Sequence, residues 1–193
     1  MKNIAKFFGM SMVATILISG MGGVSACRVE TELIAGQHTN VGNVEILHAH
    51  SVDSTMTITY TTSGDWMLTE SHVAVACSFK GIPQTNANKP DKTHNPKVGK
   101  FQYSDKHGPV ESYAYTIDLD DYDCITVNPS NGYYEGTLYI AIHGVVEHPC
   151  YGEETAWADT YGIPFNPDGN GNWALYLIVL RIRSTFGSCS KVT

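Results

Sequence analysis

Thr55-Met56-Thr57-Ile58-Thr59-Tyr60-Thr61-Thr62 alternates threonine with a large apolar side chain. Successive side chains of an extended chain point to opposite faces, so the stretch predicts a β-strand with Met56, Ile58 and Tyr60 facing a core. A helix would put Ile58 on the side away from the other two. Threonine also favours extended backbone, because branching at Cβ restricts its side chain in a helix.

The same period recurs on both sides. In 41–47, Val44 and Ile46 share a face and Glu45 takes the other. In 66–79, Val73, Val75 and Cys77 oppose Glu70, His72, Ala74 and Ala76. In 112–119, Tyr113, Tyr115 and Ile117 fall together. Residues 137–147 and 173–183 are nearly continuously apolar, the pattern of central strands. Residues 84–97 hold three asparagines and two prolines without a large apolar side chain, and predict an exposed loop. Asn128-Pro129-Ser130-Asn131-Gly132 predicts a turn, and 166–172 (Asn-Pro-Asp-Gly-Asn-Gly-Asn) a connection between two strands. Residues 153–159 fit a single helical turn. Six or more strands without a long helix predict an all-β fold, an antiparallel β-sandwich forming one domain over 27–193.

The segment before it reads as an export signal. Lys2 and Lys6 precede an apolar run from Phe7, and small residues lead to Val24-Ser25-Ala26-Cys27. Its apolar core is shorter than the roughly 20 residues that span a bilayer. Residues 1–26 therefore predict a cleaved signal peptide of lipoprotein type, with Cys27 as the acylated N-terminus. Cleavage by ordinary signal peptidase also fits the small residues at 24 and 26. Arg28 follows the cysteine where an inner-membrane retention signal has Asp, so the expected location is the outer membrane or, without the anchor, the periplasm or exterior.

Removing that segment leaves ten basic and nineteen acidic residues, a net charge of −9. Nucleic-acid binding needs a basic stripe, and none is present. If Cys27 carries lipid, Cys77, Cys124, Cys150 and Cys189 remain, enough for two disulfides in an oxidising compartment, in any of three pairings. No Cys-x-x-Cys occurs.

Several segments together carry a family likeness: Tyr60-Thr61-Thr62 with Trp66-Met67-Leu68-Thr69-Glu70-Ser71-His72; Gly81-Ile82-Pro83-Gln84-Thr85; Leu138-Tyr139-Ile140-Ala141-Ile142-His143-Gly144-Val145-Val146; and Glu153-Glu154-Thr155-Ala156-Trp157. Over roughly residues 31 to 180 the chain resembles a family of secreted bacterial β-rich surface domains of unknown function. The resemblance implies an exported β domain and no chemistry. The family usually has Ala at the position of Gly144, and the cysteines and the 128–132 turn look like additions in this chain.

The histidines raise a metal reading. Glu70 and His72 share a strand face, and His143 lies on another central strand. On adjacent strands, two imidazoles and a carboxylate could hold zinc or iron. The competing expectation is a buried polar network, with Glu154 and Trp157 closing over it as ligand-contact candidates. His48-Ala49-His50, six residues after Gly42, opens like a cupin motif but lacks its glutamate, and the two histidines are expected in a turn. His143 to His148 is one residue too long for an inverted zinc-protease motif and reads as strand. Asp168, Asn170 and Asn172 have calcium-loop spacing without the distal glutamate. No cofactor is required by any of these patterns; zinc or calcium would be the metals to consider. Exposed tyrosines (Tyr103, Tyr113, Tyr115, Tyr133, Tyr134, Tyr151, Tyr161) and Trp157 could stack on sugars.

No complete catalytic motif is present. The expectation is a non-enzymatic exported lipoprotein, membrane-anchored through lipid, that binds a cell-envelope or extracellular protein or glycan. A metal-binding protein and a carbohydrate-binding module are the alternatives.

Overall fold

The computed structural model describes residues 26–180 apart from 50–53, 90, 131, 133, 161 and 170. The signal segment up to Ser25, His50, Tyr133, Tyr161, Asn170 and Cys189 lie outside the described residues.

Eleven strands follow in chain order among the described residues: β1 (Ala26–Ala35), β2 (Thr39–Ala49), β3 (Thr55–Thr62), β4 (Met67–Ala76), β5 (Tyr103–Val110), β6 (Ser112–Asp118), β7 (Ile125–Val127), β8 (Tyr134–His148), β9 (Gly152–Ala158), β10 (Ile163–Pro164) and β11 (Leu175–Leu180). Among the described residues the only helical pieces are three single 3-10 turns, at Phe79–Gly81, Val98–Lys100 and Leu119–Asp121. Every strand pairing is antiparallel.

The fold is all-β and antiparallel, as the alternation predicts. Its layout differs from the two facing sheets of a sandwich. Hydrogen bonds run unbroken from β6 through β3, β2, β1, β9 and β8, then on to β4 and β5. One sheet thus curls until it is nearly a closed barrel. Strand β8 is the spine. One of its edges pairs β7 and then β4, and the other pairs β11 and then β9.

The sheet's two ends, β5 and β6, meet without a ladder. Side chains close the seam instead: Tyr115 donates its hydroxyl to the Ser71 carbonyl at 3.1 Å, with Ser71 Oγ 2.8 Å from the same hydroxyl. Tyr113 donates to Asp105 at 2.5 Å and stacks on His107, whose Nε2 is 3.1 Å from Ser71 Oγ. Ser71 is fully buried and hydrogen-bonded, so the Ser71–His107 contact seals the seam and presents no nucleophile.

The strand period sorts side chains between two cores. Met56, Ile58 and Tyr60 point inward with Val44, Ile46, Val73, Val75, Ile117, Ile140 and Ile142. Ala74, Ala76 and Ala141 face outward but stay buried under a second cluster of Ile82, Phe101, Trp157, Phe165, Ala174 and Leu175. The connection 77–102 supplies part of that outer layer. It is a cover at its ends, where Ile82, Gln84 and Phe101 are buried and Gln84 donates its amide to the Phe79 carbonyl at 2.6 Å; beyond Gln84, the described residues of 84–97 are exposed or half-buried, as their composition predicts.

Two further expectations are corrected. Residues 153–159 form most of β9, because pairing with β8 and β1 overrides a sequence that suits a helical turn equally well. His48 lies in β2, buried between Cys27 and Met56 in the register, and not in a turn. One disulfide, Cys77–Cys124, is present among the described residues, while Cys150 is free and exposed. Ala26 and Cys27 pair with Ala49 and His48 at the start of β1, so the ladder runs across the expected cleavage position.

Candidate functional site

The histidine cluster assembles as the strand period implies. His72 and His143 are register partners on β4 and β8, with ring centroids 5.4 Å apart. His72 Nε2 lies 3.3 Å from Glu70 Oε2, and its Nδ1 3.2 Å from Ser104 Oγ. The other Glu70 oxygen accepts from Lys106. Trp157 closes the outer side, its ring edge-on to His143 at 4.8 Å. From inside the barrel, the Tyr60 hydroxyl sits 3.0 Å from the carbonyls of both His72 and His143 and shares one proton between them.

This arrangement is a hydrogen-bonded network. Both carboxylate oxygens of Glu70 and both ring nitrogens of His72 already have partners. Among the described residues, no three His, Cys, Asp or Glu side chains are grouped to hold a metal ion. His143 is 6% exposed and its Nδ1 has no hydrogen-bond partner.

Burial holds the His143 imidazole down at about 3, and His72 beside it pushes the same way. Burial also lowers His72, against the raising effect of Glu70. The hydrogen bond from Lys106 leads in holding the Glu70 carboxyl below its ordinary range. In each case the unfolded chain takes up a proton more readily than the fold does. Stability is therefore complete above the ordinary histidine value of 6.5 and is lost as pH falls toward 3, with Glu70 adding to the loss below 4.5. Urea midpoints should hold steady near neutrality and decline across that window. His143→Phe keeps an aromatic ring and removes the unpaired nitrogen at the cost of a slightly larger side chain, so it should stay within about 1 kcal/mol of wild type at neutral pH and flatten the acid decline. An unchanged pH slope in that variant would rule out His143 as the dominant group.

A second region is open. Near the β1–β2 hairpin lies a cleft of about 670 Å³. Its walls include Gln37 and His38 from the hairpin, Asp159 after β9, and Asn166, Asn172 and Trp173 between β10 and β11. Among the described residues, no Lys or Arg lines it. The far wall is fixed by Asn166, whose side chain pairs with both backbone groups of His94: His94 N–H donates to Oδ1 at 2.6 Å, and Nδ2 donates to the carbonyl at 2.5 Å. Asn172 N–H donates to Asn95 Oδ1 at 3.3 Å. Asn166 and Asn172 thus strap the connection between β10 and β11 to the outer layer, a link between two strands as the sequence predicts.

The hairpin is strained at the cleft rim. Gly36 and Gln37 have φ of 54° and 72°, with His38 N–H donating to the Ala35 carbonyl at 3.2 Å. Both central residues of such a turn need positive φ, and glycine or asparagine normally fills the second position. Glutamine there costs about 1 kcal/mol. Strain kept at the mouth of a cleft points to a role for the side chain.

Of the ligand-contact candidates, Trp157 is 4% exposed, too buried to stack on a ligand, and Trp173 is the indole in the cleft. Glu154 is exposed on β9, its carboxylate against Gly36. It borders the hairpin without lining the cleft. Tyr151 is 74% exposed and stacks on Trp66 away from these residues. The sequence contained two signals for the cleft: Gly36-Gln37 between alternating runs, and an Asn-rich turn running into Trp173. Their meeting depends on the curl of the sheet. Comparison with the known protein families, with characterised proteins and with solved structures finds no match for this chain.

Proposed function

We propose that this chain is an exported, non-catalytic binding domain whose ligand is a glycan held in the cleft beside Trp173. One observation carries the reading: a concave site of about 670 Å³ combines an indole, the Asn172 amide, a glutamine, a histidine and one carboxylate, with no Lys or Arg among its described lining residues, the Asn166 amide being taken up by the His94 backbone. Clefts of this size suit small ligands. An aromatic face packs against the C–H face of a sugar ring, while amides and a carboxylate pair with its hydroxyls. Lack of Lys or Arg disfavours phosphate-rich ligands. The Cys77–Cys124 disulfide and the signal-like segment 1–26 support export, with lipid on Cys27 as the anchor and the outer membrane as the destination. The likeness to secreted β-rich surface domains supports the same address.

A glycan array followed by titration calorimetry on the full chain tests the proposal. Trp173→Ala should weaken binding by about tenfold or more. Gln37→Gly should separate two quantities, gaining up to about 1 kcal/mol of stability while losing affinity. Absence of binding to every glycan on the array would overturn the ligand class. Cleavage of a bound glycan would overturn the non-catalytic part.

A further inference from the structure

A second concavity adjoins the first and has the opposite character. It measures about 320 Å³ and shares Pro164 and Pro167 with the cleft beside Trp173. Its lining is mostly apolar, with Phe79, Ile163, Phe165 and Tyr176 beside His94 and Ala87, and the exposed Lys80 is its one charged residue. Three of its rings interlock: Phe79–Tyr176 at 4.8 Å, Phe79–Phe165 at 5.3 Å and Phe165–Tyr176 at 5.4 Å between centroids. His94 meets Phe79 edge-on at 5.4 Å, and the Asn166 amide fixes its backbone. The bowl is therefore preformed, and the same Asn166 that braces its rim braces the polar cleft.

We infer that the ligand is amphiphilic: a sugar whose apolar aglycone, aryl or alkyl, crosses the Pro164–Pro167 wall into this bowl. The inference rests on the glycan reading of the neighbouring cleft and adds the part of the ligand that reading leaves unspecified. A cavity of roughly 150 Å³ accepts benzene, so the bowl has room for a phenyl ring and its linking atoms. A sugar lacking such a group would leave the bowl unfilled and forgo the transfer of its aromatic walls out of water.

Matched methyl and 4-nitrophenyl glycosides of glucose, galactose, mannose and N-acetylglucosamine, titrated against the full chain, test this directly. The 4-nitrophenyl member of whichever sugar binds should be about tenfold tighter or better than its methyl partner. Tyr176→Ser should erase that gain and leave methyl glycoside binding unchanged. Ala87→Phe, which fills the bowl from its rim and removes nothing, should do the same and serves if Tyr176→Ser fails to fold. Equal affinity for the two glycosides, or a gain that survives Ala87→Phe, overturns the inference and leaves the glycan reading intact. No binding by any glycoside overturns both.

Discussion

Replacing Cys77 and Cys124 together by serine lowers the stability of the folded chain by about 4 kcal/mol. Both residues stand beside β8. Cys77 follows β4, whose last residue, Ala76, pairs with Tyr139, and Cys124 precedes β7, whose first residue pairs with Gly136. The bridge therefore joins two strands that share one edge of the spine and come from distant parts of the chain. Their separation of 47 residues is long, and closing a loop of that length removes much of the freedom of the unfolded state. The backbone N–H of Cys124 also donates to Cys77 Sγ at 3.3 Å, so the serines lose a contact as well as a link. Urea unfolding of the double variant, beside wild type with and without reductant, measures the loss. A difference below about 1 kcal/mol would show that the ladder along β8 holds these strands without the bridge. Because Cys150 is free and exposed, it should react with a thiol reagent in the native state, whereas Cys77 and Cys124 should not.

Gly42→Ala is the second severe change, with an expected loss of about 3 kcal/mol or more. Gly42 has φ of 150°, and a Cβ there would sit 2.1 Å from the Thr61 carbonyl oxygen and 2.7 Å from the Thr62 Cα. Both are backbone atoms of β3, held opposite Gly42 by the ladder, so neither can rotate away. The position also faces the irregularity in β1 between Leu33 and Ile34, where the register shifts by one residue. Moving β3 would disturb Met56, Ile58 and Tyr60 at the centre of the core. Gly144 is the natural control. A Cβ there meets the tip of Leu68 at 3.0 Å and Tyr60 at 3.8 Å, and the leucine tip can yield. Gly144→Ala should fall within about 1 kcal/mol of wild type, since alanine also costs less backbone entropy than glycine in a strand. Thermal and urea unfolding of the pair gives the contrast. Equal stability for the two variants would contradict it.

Where one face of a strand was buried and the other wet, the sequence was easy to read. The threonine ladder of β3 appears in the structure as read, with Met56, Ile58 and Tyr60 buried; β4 keeps its predicted alternation, although both of its faces are covered from Ser71 to Ala76. Strands with other jobs were hidden. β1 and β9 are covered by partners that the sequence does not identify, and Glu153-Glu154-Thr155-Ala156 suits helix and strand about equally until β8 decides. β5 is largely exposed and carries Gly108 and Pro109, so its pattern resembles a loop. The closure of the sheet was invisible for a related reason: its seam depends on Ser71, His107, Tyr113 and Tyr115 meeting across β4, β5 and β6. The histidine network could be anticipated because one strand carries Glu70 and His72 on one face. The cleft could not, because it draws on a hairpin near residue 37 and a turn near residue 170.

The two ends of β1 have different fates. Cys27 lies at its start, and the Gly36-Gln37 turn that rims the cleft follows its last residue. Ten extended residues rise about 3.4 Å each, so the strand is a rod of about 30 Å. An acyl chain on Cys27 would plant one end of that rod at the lipid surface and hold the cleft at the other, above the headgroups. Under the lipid anchor proposed above, the barrel wall itself would act as the mast, setting a standoff distance that a flexible tether would leave to chance.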